Sequence, residues 1–206
     1  MTLIKICGIT NKSDALAASD LGVDMLGFVF YRKSSRYVTP HTAADIINEL
    51  PPAIRTVGVF VDEKAEDVFS IAADAGLTGV QFHGNETPAY CARFKEKYMV
   101  IKAFRVRVQE DLKQVNDYPA DYLLFDTYDK GLAGGTGKAF DRKVLKDFEI
   151  LKPMIISGGL TPETVGAAIA ELAPAGVDVS TGVEKAPGKK DRGLMGRFIQ
   201  QVRRFE

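Results

Sequence analysis

The sequence predicts a closed (β/α)8 barrel of the TIM type, organised as a single domain over residues 1–206 with short loops. Three observations lead there. Short apolar, β-branched runs alternate with helical patterns along the chain, eight times over, as in a parallel sheet with crossover connections. No linker, low-complexity tract or composition shift divides the sequence. The last two strand candidates both run into Ser, Thr and Gly, the chemistry of a phosphate site at strands 7 and 8. Eight regular units favour a closed barrel over an open doubly wound sheet. At 206 residues the barrel lies near the short end for its class, so bottom-face loops should be minimal.

The strand candidates are 3–6, 24–30, 55–61, 78–82, 98–103, 121–125, 152–156 and 177–180. Helix signals fill the gaps between them. Asn11 can cap the first helix, with Asp14 three residues on. Thr39-Pro40 opens the second, where Ala43, Ile46, Ile47 and Leu50 share a face. Asp62 reads as a cap for the third. The fifth, roughly 109–115, carries the weakest pattern and is expected to be short or irregular. After the seventh strand, Gly158-Gly159 leads to Thr161 as expected N-cap and Pro162 at the first helical position. Val165, Ala168, Ile169 and Leu172 then repeat at helical spacing.

Composition narrows the function classes. Lys plus Arg equals Asp plus Glu, 27 each, so no global basic field points to nucleic acid or membrane. Lys189-Lys190 and Arg203-Arg204 read as solvated helix positions. The first residues lack a signal-peptide layout and no apolar run reaches membrane-spanning length, which makes a cytoplasmic protein the expectation. Cys7 and Cys91 make neither a disulfide framework nor a metal pattern, and with only His41 and His83 besides, no metal site is expected.

Barrel chemistry sits at the C-terminal strand ends. In order these carry Cys7, Phe30, Asp62, His83, Arg105, Asp126, Ser157 and Ser180. Period-2 alternation decides which strand residues point inward. Ile4 and Ile6 suit the helix side, which turns Lys5 and Cys7 inward together. Val80 and Phe82 facing out leave Gln81 and His83 inward. Val177 and Val179 facing out leave Asp178 and Ser180 inward. Asp126 shares its phase with Leu124. Such a mouth is too polar for a purely structural core, where charges must be paired. Strands 1 and 8 meet at barrel closure, so Lys5 and Asp178 are expected to pair. A nearby Lys5 is also expected to lower the pKa of Cys7.

Most of these residues also have a structural reading. Cys7 is either a small buried hydrophobe or a reactive thiol, and Cys91, mid-helix, is the former. Asp126 either caps the following turn or does chemistry. His83 is a satisfied structural histidine or a site residue. Tyr31–Tyr37 carries three cations after strand 2, either as a solvated loop or for carboxylate recognition, which suits Arg. Tyr128–Lys138 holds Gly131, Gly134, Gly135 and Gly137. It departs from the Walker pattern at Leu132 and Ala139 and reads better as a lid.

The ordered set of segments resembles the phosphoribosylanthranilate isomerase family of tryptophan biosynthesis. The matching segments are Lys5-Ile-Cys-Gly-Ile-Thr10, Ser34-Ser-Arg-Tyr-Val-Thr-Pro40, Val80-Gln-Phe-His-Gly84, Asp126 with Gly134-Gly-Thr-Gly-Lys138, Ser157-Gly-Gly-Leu-Thr-Pro162, and Gly176-Val-Asp-Val-Ser-Thr-Gly-Val-Glu184 followed by Gly188-Lys-Lys-Asp191. They cover the chain from end to end. Phe82 stands where the family commonly has Leu, and Arg142 where an aromatic is frequent. The resemblance implies an aldose–ketose isomerase carrying out an Amadori rearrangement of N-(5-phosphoribosyl)anthranilate. It makes Asp126 the general acid and Cys7 the general base. Arg36 becomes the ligand of the anthranilate carboxylate. Gly158, Gly159, Ser180, Thr181 and Gly182 become the phosphate grip, helped by a short helix N-terminus after strand 8. His83 and Asp178 line the site. No metal or organic cofactor is implied, and the chain is expected to be a monomer or homodimer whose partner is the phosphoribosyl substrate.

Three rivals remain at this point. A sibling isomerase of histidine biosynthesis would want a carboxylate at the end of strand 1 and two phosphate grips. A phosphosugar aldolase or epimerase would want a metal cluster or a Schiff-base lysine, for which Lys102 is the one tempting residue. A non-catalytic phosphosugar-binding barrel would have no use for Cys7 and Asp126 together.

Overall fold

In the computed structural model, which describes residues 1–106, 108–126 and 143–205, eight parallel strands close into a barrel. They are β1 (Leu3–Cys7), β2 (Met25–Val29), β3 (Arg55–Phe60), β4 (Gly79–Phe82), β5 (Met99–Arg105), β6 (Tyr122–Asp126), β7 (Met154–Ser157) and β8 (Gly176–Val179). Each pairs in parallel with its sequence neighbour, and β1 closes on β8 with Lys5 beside Asp178. Every strand candidate is met within two residues at either end.

Two apolar layers follow from the alternation. Met25, Val57, Ile101, Ala103, Leu124 and Ile155 fill the barrel interior. Ile4, Ile6, Val80, Phe82, Val177 and Val179 belong to the larger layer between barrel and helices. Burying each Ile or Phe there stabilises by about 1.5–3 kcal/mol relative to exposure. The interior layer is thin, and above it polar residues take over.

The helices among the described residues are α1 (Lys12–Asp20), α2 (Pro40–Ile47), α3 (Ala65–Ala75), α4 (Pro88–Ala92), α5 (Lys143–Lys146), α6 (Val165–Leu172) and α7 (Arg192–Arg203). Four of these helices start at a capping short polar side chain. Asn11 accepts from the Asp14 N–H at 2.9 Å, Thr39 from Thr42, Thr87 from Tyr90 and Asp191 from Leu194. Gly76 ends α3 in the left-handed region.

One local expectation is met and four are corrected. The fifth unit is irregular as expected, holding two 3-10 turns, Gln109–Leu112 and Val115–Asp117, among its described residues. Leu112 and Val115 are its buried anchors, and the Asn116 side chain ties it to Glu149 O and Leu151 N. α6 starts at Val165, later than the Thr161-Pro162 signal. A tight turn intervenes, in which the Thr161 N–H donates to Thr164 and the Thr161 hydroxyl accepts from Glu163. Asp62 does not cap α3, whose N-cap is Lys64. Its carboxylate instead accepts from the Asn85 backbone at 2.6 Å, bracing the loop after β4. Lys189-Lys190 is not helical: it is strand β10, paired antiparallel with β9 (Glu184–Ala186), and Lys190 is buried. Arg203 is likewise half-buried, donating to Thr2 O and pairing with Asp24, while Arg204 is exposed.

Candidate active site

The polar mouth forms because adjacent strands bring their inward residues to one end. Lys5 Nζ lies 3.0 Å from Asp178 Oδ1, with both side chains almost wholly out of solvent. The second carboxylate oxygen accepts from Ser157 Oγ at 3.4 Å. Burial pulls the Lys5 ammonium down, but Asp178 and the neighbouring thiol outweigh it and hold the pKa above the ordinary lysine value. A buried, paired and charged lysine therefore stands beside Cys7, as the alternation requires.

The expected depression of the Cys7 pKa is not what the structure gives. Burial pushes the thiol above its ordinary value; Lys5 and Lys190 pull it down, Asp178 adds to the rise, and the net direction is upward. Desolvation of a thiolate is the larger effect in an enclosed site. Cys91 is buried in α4 and its thiol is pushed up to about 11, first by burial. The buried Lys102–Glu86 pair also acts on it, Lys102 pulling the thiol down and Glu86 pushing it up.

Gly27, across the β1–β2 pairing, makes room for the thiol. A Cβ there would stand 2.7 Å from Cys7 Sγ and 3.1 Å from Lys5 Nζ. Gly27→Ala is expected to destabilise the fold by about 1–3 kcal/mol, the usual effect of overpacking. It should also lower turnover, by less than removing the thiol does. Thermal unfolding paired with an activity assay checks this; unchanged stability would mean the site has room to spare.

Across the ring, His83 and Asp126 meet. His83 Nε2 lies 3.4 Å from Asp126 Oδ2, and Gln81 Nε2 lies 3.2 Å from His83 Nδ1. With the Gln81 amide donating, the ring proton sits on Nε2 and faces Asp126. Asp126 is thus placed against His83, at the level of the mouth above Leu124.

Of the three cations after β2, only Arg36 turns in. Arg32 is exposed and stacks over Tyr37, and Lys33 is exposed. The Arg36 guanidinium forms a bidentate pair with Glu184, Nε to Oε1 at 2.8 Å and Nη2 to Oε2 at 2.5 Å. A fork held on one side by a carboxylate keeps its plane fixed.

The glycine segment after β7 takes left-handed conformations that glycine adopts readily, Gly158 at φ 90° and Gly159 at φ 64°. After β8, Ser180 leads into the short helix expected there, a single 3-10 turn, Thr181–Val183. Gly182 presses against the backbone of Leu160, so close that any Cβ would overlap the Leu160 carbonyl. The two loops of the expected phosphate grip are therefore in backbone contact.

Lys102 does not enter the mouth. It sits on the helix side of β5, bonded to Glu86 Oε2 at 2.8 Å and to the carbonyls of Gly84 and Phe82, so a Schiff-base role has no geometric basis. Glu86 also accepts from the Asp62 and Gly84 backbones, locking the loop that follows His83. Sequence reading missed Glu86, Glu184 and Lys190 as supporting residues. For Glu184 and Lys190 the signal was their place in the segments that resemble the family, Gly176–Glu184 and Gly188–Asp191. The glycine-rich Tyr128–Lys138 stretch and Arg142 lie outside the described residues.

Fold and mouth together define a (β/α)8 barrel with titratable side chains gathered at its C-terminal end. Residues 4–201 match the family model of N-(5'-phosphoribosyl)anthranilate isomerase. The N-(5'-phosphoribosyl)anthranilate isomerase of Desulforudis audaxviator is 49% identical over 205 residues, covering 98% of each chain. The crystal structure of phosphoribosyl anthranilate isomerase from Thermotoga maritima superposes with a TM-score of 0.88 at 41% identity, covering 98% of this chain and 99% of that one. A phosphoribosyl anthranilate isomerase in complex with reduced 1-(o-carboxyphenylamino)-1-deoxyribulose 5-phosphate superposes at 0.85, with 40% identity over 98% of this chain and 99% of that one. The chain belongs to the N-(5'-phosphoribosyl)anthranilate isomerase family.

Proposed function

We propose that the protein catalyses the Amadori rearrangement of N-(5-phosphoribosyl)anthranilate to 1-(2-carboxyphenylamino)-1-deoxyribulose 5-phosphate, a step of tryptophan biosynthesis. The observation that carries this is the composition of one mouth. Cys7 stands beside the buried Lys5 at the end of β1, Asp126 against His83 at the end of β6, and the double-glycine loop at the end of β7.

Each step then has an agent. Asp126, as general acid, protonates the furanose ring oxygen and the sugar opens to a Schiff base. Cys7, as thiolate, removes the C2′ proton, giving an enolamine that tautomerises to the ketone. No atoms are gained or lost, so this route calls for proton donors and acceptors alone. Lys5 offsets part of the charge that develops on the thiolate, and His83 Nε2–H faces the carboxylate that Asp126 leaves behind. Arg36, held by Glu184, receives the anthranilate carboxylate. Backbone groups around Gly158, Gly159, Ser180, Thr181 and Gly182 receive the phosphate. Asp178 lines the site through its pair with Lys5.

A histidine-pathway sibling would use a carboxylate where β1 ends, and this chain has a thiol there. The test is incubation with freshly made phosphoribosylanthranilate, following loss of its fluorescence. Acceleration over the spontaneous rate is expected; its absence would refute the assignment.

A further inference from the structure

Glu184 and Lys190 sit on the small β9–β10 hairpin, paired directly across it, and no step of the reaction uses them. Both are withdrawn from solvent. The side chain of Lys190 is fully buried and that of Glu184 is 5% exposed. A charged lysine in such a place must be satisfied by several acceptors. Lys190 Nζ donates to Glu184 Oε1 at 2.8 Å, to the Cys7 carbonyl at 2.5 Å and to the Ser180 carbonyl at 3.2 Å. Glu184 spends its other oxygen on Arg36, at 2.5 Å, and shares Oε1 between Arg36 and Lys190.

The hairpin is itself anchored. The Lys190 N–H donates to Asp14 Oδ2 at 2.8 Å, and Thr10 Oγ1 donates to the Gly188 carbonyl at 2.5 Å. Three pieces of the mouth therefore converge on one ion pair: the backbone under Cys7, the guanidinium of Arg36 and the end of β8.

We propose that Glu184 and Lys190 are a positioning pair that fixes the Cys7 base and the Arg36 fork in a common frame. The proposal rests on the isomerase reading for the roles of Cys7 and Arg36. Burial raises the Glu184 carboxyl, but hydrogen bonds from Arg36 and Lys190 outweigh it and hold the carboxyl below its usual range; burial also pulls the Lys190 ammonium below the ordinary lysine value, against the opposing pull of Glu184. The charged groups facing Cys7 are Lys5 from β1, Asp178 from β8, Lys190 from β10 and Arg36 from the loop after β2.

Two variants separate positioning from mere structure. Glu184→Gln keeps the size of the side chain and removes the charge that orients Arg36. KM for phosphoribosylanthranilate should rise about tenfold, on the scale of one charge-assisted hydrogen bond, while kcat changes less than about threefold. In an Arg36→Met background the same substitution should leave KM unmoved. Lys190→Met removes a cation near the thiol. Alkylation of Cys7 by iodoacetamide, followed by peptide mass, should slow at least about threefold at fixed mildly alkaline pH.

If Lys190→Met does not fold, Lys190→Arg keeps the charge but cannot reproduce the three-way donation. It should lower kcat while leaving the alkylation rate near that of the unmodified protein. Variants that lose thermal stability but keep KM, kcat and alkylation rate would overturn the proposal. A wild-type protein without turnover would sink the isomerase reading instead, and the alkylation rates would still judge whether Lys190 acts on Cys7.

Discussion

Cys7→Ala is expected to lower kcat by about a hundredfold or more, the usual scale for a general base, equivalent to about 2.7 kcal/mol of barrel-supplied barrier lowering. The neighbouring groups cannot fully replace it. Lys5 is a buried cation with no lone pair to offer while it is paired, and Asp178 is engaged by both Lys5 and Ser157. Cys7→Ser keeps the volume and abolishes the acidity, so it should fall as far as the alanine variant. Near-normal turnover in either would reassign the base.

The pH profile sharpens the same prediction. The active form pairs a thiolate with a protonated carboxyl, and with the thiol pushed above its ordinary value the thiolate is the minor form of Cys7 at neutral pH. The fraction in that form is constant between the two pKa values and falls outside them, so kcat/KM is flat in between and drops on both sides. Burial pushes the Cys7 thiol above its ordinary value of 9.0, against the pull of Lys5 and Lys190. The alkaline limb of the wild-type profile therefore belongs above about pH 9. A limb below that pH, or one that survives in the residual activity of Cys7→Ala, would assign it to another group.

Why the sense of that shift escaped the sequence is instructive. Period-2 alternation fixes side-chain direction, and strand order fixes neighbours. Both follow from local pattern, so Lys5 with Cys7, Gln81 with His83, and Lys5 against Asp178 were all legible. Desolvation is a property of the closed barrel. It depends on how deeply the Cys7 thiol sits against Gly27 and Lys5, which no single strand encodes. The Glu184–Lys190 pair was hidden for another reason. A two-residue strand such as β10 has no periodicity to read, and a charged pair of lysines is ordinarily solvated. Asp62 shows the limit of side-chain chemistry as a guide. A carboxylate before a helix can cap it or brace a neighbouring loop, and only the position of Asn85 decides.

Asp126→Asn carries the second large effect, again about a hundredfold or more in kcat. Asparagine matches the carboxyl in shape and can keep a hydrogen bond to His83, 3.4 Å away, so the fold should be undisturbed. It has no proton to give to the ring oxygen, and ring opening becomes the slow step. This separates the variant from Cys7→Ala by more than its rate. A substrate deuterated at C2′ reports on proton removal by Cys7. Its isotope effect on kcat should be enlarged in Cys7→Ala, where that removal limits, and suppressed in Asp126→Asn, where opening limits. His83→Gln should fall between the wild type and Asp126→Asn, because it removes the ring N–H that faces the departing charge but leaves the acid. Enlarged isotope effects in both Cys7→Ala and Asp126→Asn would show that the two residues act on one step, and the division of acid and base between β6 and β1 would have to be abandoned.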